Sequence, residues 1–267
     1  MKTVSELFRL DGRVALVTGA AGHIGLAIAE ALAEGGARVA LVDRDETATR
    51  ARAELLARTK GAETLPLALD LGDPAAARTA VARTLETWGR LDILVNNAAF
   101  TGDSKLGGWA VPFGEQSLES WDAALRVNLS APFLLAREAR EALGAAGRGA
   151  IINIGSIYGT VGPDFSLYEG TSMANPAAYG ASKGGLAQLT RYLATALAPR
   201  VRVNTISPGG IARGQPASFV ERYRSRTPLG RMGAEEDLKG AVAFLASDAA
   251  AYVTGQNLLV DGGWSAW

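Results

Sequence analysis

The chain has 267 residues, with 27 Lys and Arg against 27 Asp and Glu, one His and no Cys. That length suits one large α/β domain whose core needs no disulfide or structural metal. Missing Cys excludes thiol nucleophiles and Cys-ligated metals, the lone His argues against a His-ligated metal or a Ser-His-Asp triad, and zero net charge argues against a nucleic-acid partner. No metal site is expected. The opening Met1-Lys2-Thr3-Val4-Ser5-Glu6 holds no apolar stretch with a cleavage site. No apolar run reaches the roughly 18 residues of a membrane span. The expectation is a cytoplasmic globular protein acting on a small molecule, away from membranes.

In chain order, Arg13–Thr18 reads as a strand, followed by a glycine-rich turn and a helix over Ile24–Gly35. Further strands are expected at Arg38–Asp43, Thr64–Asp70, Leu91–Asn96, Ala150–Ser156, Val201–Ser207 and Asn257–Val260. Helical patterns fall between them at Glu46–Lys60, Pro74–Trp88, Leu118–Leu143, Ala177–Leu197 and Ala234–Ala246. Asp73-Pro74 fits an N-cap followed by proline at the first helical position. Nearly uninterrupted apolar strands predict a sheet covered on both faces, and their alternation with helices predicts a doubly wound parallel sheet. No linker or repeat divides the chain, so residues 1–267 read as one domain. Phe100–Ser117, Gly159–Pro176 and Gly209–Pro228 are irregular, and each follows the carboxyl end of a strand, where such sheets bind ligands. They are the expected substrate loops.

The turn Thr18-Gly19-Ala20-Ala21-Gly22-His23-Ile24-Gly25 lets backbone N–H groups approach a pyrophosphate at a helix N-terminus. A glycine turn can also merely pack a helix on a strand. Its place after the first strand favours a nucleotide. Asp43 ends the second strand, 18 residues beyond Gly25, where a carboxylate accepts hydrogen bonds from both ribose hydroxyls and repels a 2′-phosphate. The competing reading is a helix-capping Asp. Arg44, beside it, is of the type that accommodates the phosphate of NADP. The carboxylate favours NAD. Asp70-Leu71, ending the third strand, is placed to flank an adenine.

Tyr179 and Lys183 lie four residues apart on one helix and share a face. A tyrosine of ordinary pKa is a poor base at neutral pH, and a neighbouring ammonium is expected to favour its phenolate. The pair can then take a proton from an alcohol or give one to a carbonyl. By itself such a pair also occurs as ordinary helix surface.

These residues come together in a resemblance. From about Arg13 to Gly263 the chain resembles the short-chain dehydrogenase/reductases, on the Thr18–Gly25 turn, Asn96-Asn97-Ala98-Ala99, Asn128, Ser156, Tyr179-Gly180-Ala181-Ser182-Lys183 and Ser207-Pro208-Gly209. The resemblance implies a Rossmann-like fold, a nicotinamide cofactor and hydride transfer between carbonyl and alcohol. It implies that Tyr179 is the general acid/base, that Ser156 holds the substrate oxygen and that Lys183 bonds the nicotinamide ribose. Asn128 would position a water that links Lys183 to solvent. The cofactor would lie along Gly19, Gly22, His23, Ile24 and Gly25, with Asn97 and Ala98 on the adenosine and ribose side and Pro208, Gly209 and Ile211 at the nicotinamide. A homotetramer is implied, using helices near Leu118–Leu143 and Ala177–Leu197 and the last strand.

The chain departs from the family in three places. His23 stands where the family's middle glycine falls, with Gly22 one place earlier; it reads as a loop residue. Arg213 occupies the position of a threonine that the family puts near the nicotinamide amide, and a phosphate or carboxylate would suit it. Ser156 precedes Tyr179 by 23 residues, a longer gap than the family's usual one. Ser166 meets the usual spacing arithmetically, but Ser156 ends a strand and Ser166 sits in an irregular loop. An insertion explains this. The inserted GTVGPDFSLYEGTSMANP is polar, and with Tyr168-Glu169-Gly170-Thr171-Ser172 and the tail Val260–Trp264 it resembles bacterial members linked to surface-polysaccharide and flagellin sugar biosynthesis. Tyr168, Glu169 and Arg213 are the substrate candidates, with Glu169 facing an amino sugar. Arg222, Arg224 and Arg226 suit either a sugar phosphate or a solvated helix face. The expected activity is NAD-dependent oxidation or reduction of a sugar or amino-sugar derivative. The alternatives are an NADP-dependent 3-oxoacyl thioester reductase and a catalytically idle NAD-binding protein.

Overall fold

The computed structural model describes residues 1–102 and 106–267. Its centre is a seven-stranded parallel sheet in the order β3-β2-β1-β4-β5-β6-β7. The strands are β1 Val14–Thr18, β2 Arg38–Asp43, β3 Thr64–Ala68, β4 Ile93–Asn96, β5 Gly149–Ile154, β6 Val201–Pro208 and β7 Asn257–Val260. The helices are α1 Val4–Phe8, α2 His23–Glu34, α3 Glu46–Lys60, α4 Pro74–Trp88, α5 Leu118–Leu125, α6 Ala131–Ala145, α7 Ala177–Ala196, α8 Ala217–Arg226 and α9 Lys239–Ala246.

Strand side chains alternate between two buried cores because successive residues point to opposite faces. Ala15 and Val17 of β1, with Val39 and Leu41 of β2, meet Ile28 and Leu32 of α2 and Val242 and Leu245 of α9. Val14, Leu16, Ala40 and Val42 face the other way, onto Ala77 and Val81 of α4, Leu135 and Leu143 of α6 and Leu193 of α7. Val14–Val17 of β1 and Val39–Val42 of β2 are therefore apolar at successive positions. A third cluster, Ile157, Leu167, Phe219, Tyr223, Met232 and Trp264, sits beyond the carboxyl end of the sheet and gives the outer loops a core of their own.

Several elements differ from the sequence expectation, among them α1 and a 3-10 turn over Phe165–Tyr168, neither of which was expected. The helix expected over Leu118–Leu143 is broken into α5, a π segment over Arg126–Ser130 and α6. The Gly209–Pro228 segment is not wholly irregular, since it contains α8, which buries Phe219 and Tyr223. Glu235–Leu238, expected as the first turn of the last helix, is a 3-10 turn leading into α9. Of the expected first substrate loop, residues 103–105 lie outside the described residues.

Candidate active site

The strand order reverses direction between β1 and β4, which opens a crevice at their carboxyl ends. Asn97 fastens that crevice: its amide Nδ2 donates to the carbonyls of Thr18 at 2.9 Å and Gly19 at 3.1 Å. The Thr18 hydroxyl in turn accepts the backbone N–H groups of Asn97 and Ala98. Gly19 has φ +64°, and a Cβ there would lie 2.8 Å from Ala98 Cα. A Cβ on Gly25 would lie 2.0 Å from the Gly19 carbonyl oxygen. Both positions require glycine. Gly22 is the N-cap of α2 and His23 its first residue, so His23 is a helix residue, exposed, and not part of the loop. The first-turn N–H groups of α2 have no acceptor inside the helix and point toward the crevice entrance, the positive end of the helix dipole.

A cavity of about 490 Å³ runs from this turn to the reacting side chains. Gly19, Gly22, His23, Ile24, Gly25, Asp43, Asn97 and Ala98 line one end; Ser156, Tyr179, Lys183, Pro208, Gly209, Ile211 and Arg213 line the other. A side pocket of about 130 Å³ is bounded by Asp43, Arg44, Asp70, Leu71 and Ala98. Asp43 lies where the two meet. Its carboxylate accepts the backbone N–H of Ala21 at 3.1 Å and of Arg44 at 2.8 Å, so it also braces the glycine turn. The residues thus fit a dinucleotide: a cradle that a Cβ would fill, a carboxylate at the second strand, and a small side pocket beside it.

Ser156 caps the short 3-10 turn after β5, its hydroxyl accepting the Tyr158 N–H at 3.2 Å, and it lines the same cavity as Tyr179. Ser166, by contrast, is exposed and donates to Asp164 at 2.7 Å. Lys183 is buried beneath Tyr179, with its Nζ 5.8 Å from the ring centroid and donating to the Ile154 carbonyl at 2.7 Å. Asn128 sits in the π segment, an irregularity that turns its side chain inward. Its Oδ1 accepts the Phe100 N–H at 2.6 Å and its Nδ2 donates to the Ser182 hydroxyl at 3.0 Å, which donates to the Tyr179 carbonyl. Asn128 therefore braces α7 against the first loop.

The tuning of Tyr179 departs from expectation. Burial raises its phenol above the ordinary value; the Ser156 hydroxyl and then the Arg213 charge pull it down, and Tyr168 pushes it up. Lys183 is not among the groups that shift it, and burial brings that ammonium itself down to about 8. An alcohol oxygen between Ser156 and Tyr179 would still find a hydroxyl donor and an acid/base at one point.

The inserted loop holds itself together with the groups expected to face substrate. Thr171 donates to the Tyr168 carbonyl, and Asp164 pairs with Arg226 at 2.6 Å. Arg222 donates to the carbonyls of Ser166, Leu167 and Glu169. Arg222 and Arg226 thus tie the loop to α8 instead of offering a phosphate site. Arg224 turns to Gly230 and Glu221. Glu169 is corrected: Arg222 holds its carbonyl, its side chain is exposed, and it lines neither cavity. Its side chain therefore does not face the cavities in which the expected amino sugar would lie.

Tyr168 does reach the site. Its hydroxyl is 2.8 Å from that of Tyr158 and accepts Asn175 Nδ2 at 3.4 Å. Both tyrosines also line a second cavity of about 790 Å³, bounded by Val111, Pro112 and Phe113 on one side and Pro163, Phe165 and Met173 on the other. The sequence reading missed Tyr158, Phe219, Tyr223 and Met232, which line the reaction end. Phe219 and Tyr223, four apart between prolines, were the available signal for a helix there.

Fold and site together define a dinucleotide-dependent oxidoreductase. A family profile described as enoyl-(acyl carrier protein) reductase matches residues 19–265. D-threitol dehydrogenase of Mycolicibacterium smegmatis is 40% identical over 264 residues, covering 97% of this chain and 95% of that protein. Galactitol 2-dehydrogenase (L-tagatose-forming) of Cereibacter sphaeroides is 40% identical over 275 residues, covering 98% of each. The crystal structure of a gluconate 5-dehydrogenase from Burkholderia cenocepacia, in complex with NADP and tartrate, superposes with TM-score 0.87 at 33% identity, covering 99% of this chain and 100% of that one. The chain belongs to the short-chain dehydrogenase/reductase family. It is an oxidoreductase of CH–OH groups that uses a nicotinamide dinucleotide and a small-molecule substrate. No helix among the described residues is long and apolar enough to cross a membrane.

Proposed function

We propose that this enzyme is an NAD-dependent dehydrogenase that interconverts a secondary alcohol and a ketone on a polyol or sugar-derived substrate. The observation that carries the reading is that Ser156, Tyr179 and Lys183 line the same cavity as the glycine turn. The dinucleotide would be held by Gly19, Gly22, His23, Ile24 and Gly25 at its diphosphate, by Asp43, Asp70, Leu71, Asn97 and Ala98 on the adenosine side, and by Lys183, Pro208, Gly209 and Ile211 at the nicotinamide end. When bound, a nicotinamide would supply the acceptor for the hydride of the carbinol carbon. Tyr179 takes the hydroxyl proton, and Ser156 donates to the same oxygen. Lys183 hydrogen-bonds the ribose, while Asn128 keeps α7 in place.

Asp43 supports NAD, because a 2′-phosphate would meet its carboxylate. NADP in the gluconate 5-dehydrogenase complex makes the two-cofactor comparison the first assay. Threitol and galactitol dehydrogenases among the relatives support a polyol, and the hydroxyls of Tyr158 and Tyr168 beside Ser156 supply partners for substrate hydroxyls. The narrower likeness to surface-polysaccharide and flagellin sugar enzymes rests on loop residues alone. A second reading, reduction of a 3-oxoacyl thioester, is favoured by the apolar lining of the outer cavity, which suits an acyl chain. Turnover with NAD and NADP over four- to six-carbon polyols, nucleotide sugars and acyl thioesters separates these. Polyol oxidation with NAD is expected; exclusive activity on acyl thioesters with NADP would replace the reading.

A homotetramer is part of the proposal. Phe133 on α6, Tyr192 on α7, and Leu258 and Leu259 on the edge strand β7 are large exposed apolar side chains on the three elements such an assembly would bury. Light scattering at micromolar concentration should give four times the chain mass; a monomer would refute this.

A further inference from the structure

The charge around the reaction end of the cavity is one-sided. Of the Asp, Lys and Arg residues lining the cavity, Asp43 lies at the adenosine end, leaving Lys183 and Arg213 near Tyr179. Lys183 donates to the Ile154 carbonyl, its Nζ 5.8 Å from the Tyr179 ring centroid, and serves the ribose in the reading above. Arg213 is held differently. Its backbone N–H donates to Gln215 Oε1 at 2.6 Å, and Gln215 Nε2 donates back to the Ile211 carbonyl at 2.8 Å, a side-chain brace that fixes the turn. Its guanidinium meets Glu235 through Nε at 3.3 Å, and the two side chains are 39% and 25% exposed. A long, partly solvated pair of this kind contributes little and is readily exchanged. Glu235 does not line the cavity, whereas Arg213 does.

We infer that Arg213 is a specificity residue that binds a carboxylate at the end of the substrate, so that the preferred substrates are polyhydroxy acids above neutral polyols. The inference rests on the dehydrogenase reading above and names its substrate class. Glu235 already shows a carboxylate on this guanidinium, and a substrate carboxylate entering from the cavity would take that place with planar, charge-assisted geometry. The carboxylate is a spectator: the carbinol between Ser156 and Tyr179 still reacts, and the anion fixes which carbon is presented. The Arg213 charge also reaches the Tyr179 phenol and offsets a small part of the rise that burial causes, which agrees with a position near the reacting oxygen.

The matched pair D-gluconate and D-sorbitol, which differ in one terminal group, tests this with NAD and NADP. Wild-type kcat/KM should favour the acid, and Arg213→Gln should lower the acid-to-sorbitol ratio of kcat/KM by roughly tenfold or more, the effect of a charge-assisted hydrogen bond, whatever loss through Tyr179 the two substrates share. Glu235→Gln, which removes the competing carboxylate, should raise kcat/KM for the acid and leave sorbitol unchanged, a gain that misfolding cannot imitate. An unchanged acid-to-alditol ratio in Arg213→Gln would overturn the inference. So would an equal loss on both substrates with a raised KM for the dinucleotide, which would assign Arg213 to the cofactor diphosphate. Preference for sorbitol 6-phosphate over gluconate would assign it to a phosphate. If wild type oxidises neither compound, calorimetry of gluconate binding to the enzyme with NADH decides. Binding lost in Arg213→Gln keeps the carboxylate site while the reaction reading falls, and no binding removes the site.

Discussion

Lys183 Nζ donates to the carbonyl oxygen of Ile154 at 2.7 Å, which ties the helix carrying Tyr179 to the strand end carrying Ser156. The ammonium is buried, and desolvation lowers its pKa from 10.5 to about 8. This shift has the opposite sign to that of a lysine gaining an anionic partner. Between about pH 8 and 10.5 the unfolded chain holds a proton that the folded chain has released. Stability of the cofactor-free protein should therefore rise with pH across that window, by up to roughly 3 kcal/mol. Thermal melts from pH 7.5 to 10 check it, and Lys183→Met should flatten the rise. A wild-type Tm that falls steadily from pH 8 would contradict this account of the buried ammonium.

Gly25 is fixed by its distance from the opposite side of the turn. A Cβ there would sit 2.0 Å from the Gly19 oxygen and 2.8 Å from Ala20 Cα, both backbone atoms. Gly25→Ala must push α2 off the strand end. A loss of roughly 1–3 kcal/mol in stability is expected, the usual range for overpacking. Dinucleotide affinity should fall with it. Calorimetric titration with NAD and a denaturant melt test both, and unaltered binding would show that the diphosphate lies elsewhere.

Asp43 has two duties, since it holds the Ala21 N–H and faces the ribose end of the cavity. NAD should bind at least tenfold tighter than NADP, on the order of 1.4 kcal/mol. Asp43→Ser should narrow that gap, because the repulsion goes while Arg44 stays, and should also cost about 1 kcal/mol of stability through the lost hydrogen bond. Equal affinities in the wild type would remove the NAD preference.

Much of this architecture was legible in the sequence, for a physical reason. Strands buried on both faces must be apolar at every position, so Val14–Val17 and Val39–Val42 stand out against amphipathic helices. The π segment around Asn128 was not legible, because its residues continue the helical pattern and the extra residue per turn leaves no compositional mark. Helix α8 was hidden by its narrow apolar stripe, Phe219 and Tyr223 among arginines. The inserted loop shows the limit most clearly. Its polarity was visible, but the partners were not: Asp164, Thr171 and the Glu169 carbonyl hold the loop, and only its Tyr168 and Asn175 reach the Tyr158 hydroxyl chain.

The loop's internal ties make a prediction of their own. The Asp164–Arg226 pair joins it to α8, which closes the reaction end through Tyr223, whose phenol oxygen accepts the Gly210 N–H at 2.6 Å. Arg226→Ala should raise KM for substrate while leaving KM for NAD unchanged, since the glycine turn and Asp43 lie at the other end of the cavity. A matching rise in both would show that the loop supports the cofactor as well. Glu169→Gln should be kinetically silent on every accepted substrate, because that side chain lines neither cavity.

The most direct measurement is NADH formation from a polyol by wild type, Tyr179→Phe, Ser156→Ala and Ser166→Ala, with NAD affinity determined for each by calorimetry. Tyr179→Phe keeps the ring and removes the transferable proton, so kcat should fall by roughly 10²–10⁴-fold with NAD binding retained. Ser156→Ala should be strongly impaired, and Ser166→Ala, whose hydroxyl serves only Asp164, should stay near wild type. Tyr179→Phe turning over at the wild-type rate, or Ser166→Ala proving more damaging than Ser156→Ala, would contradict the assignment of the reacting centre.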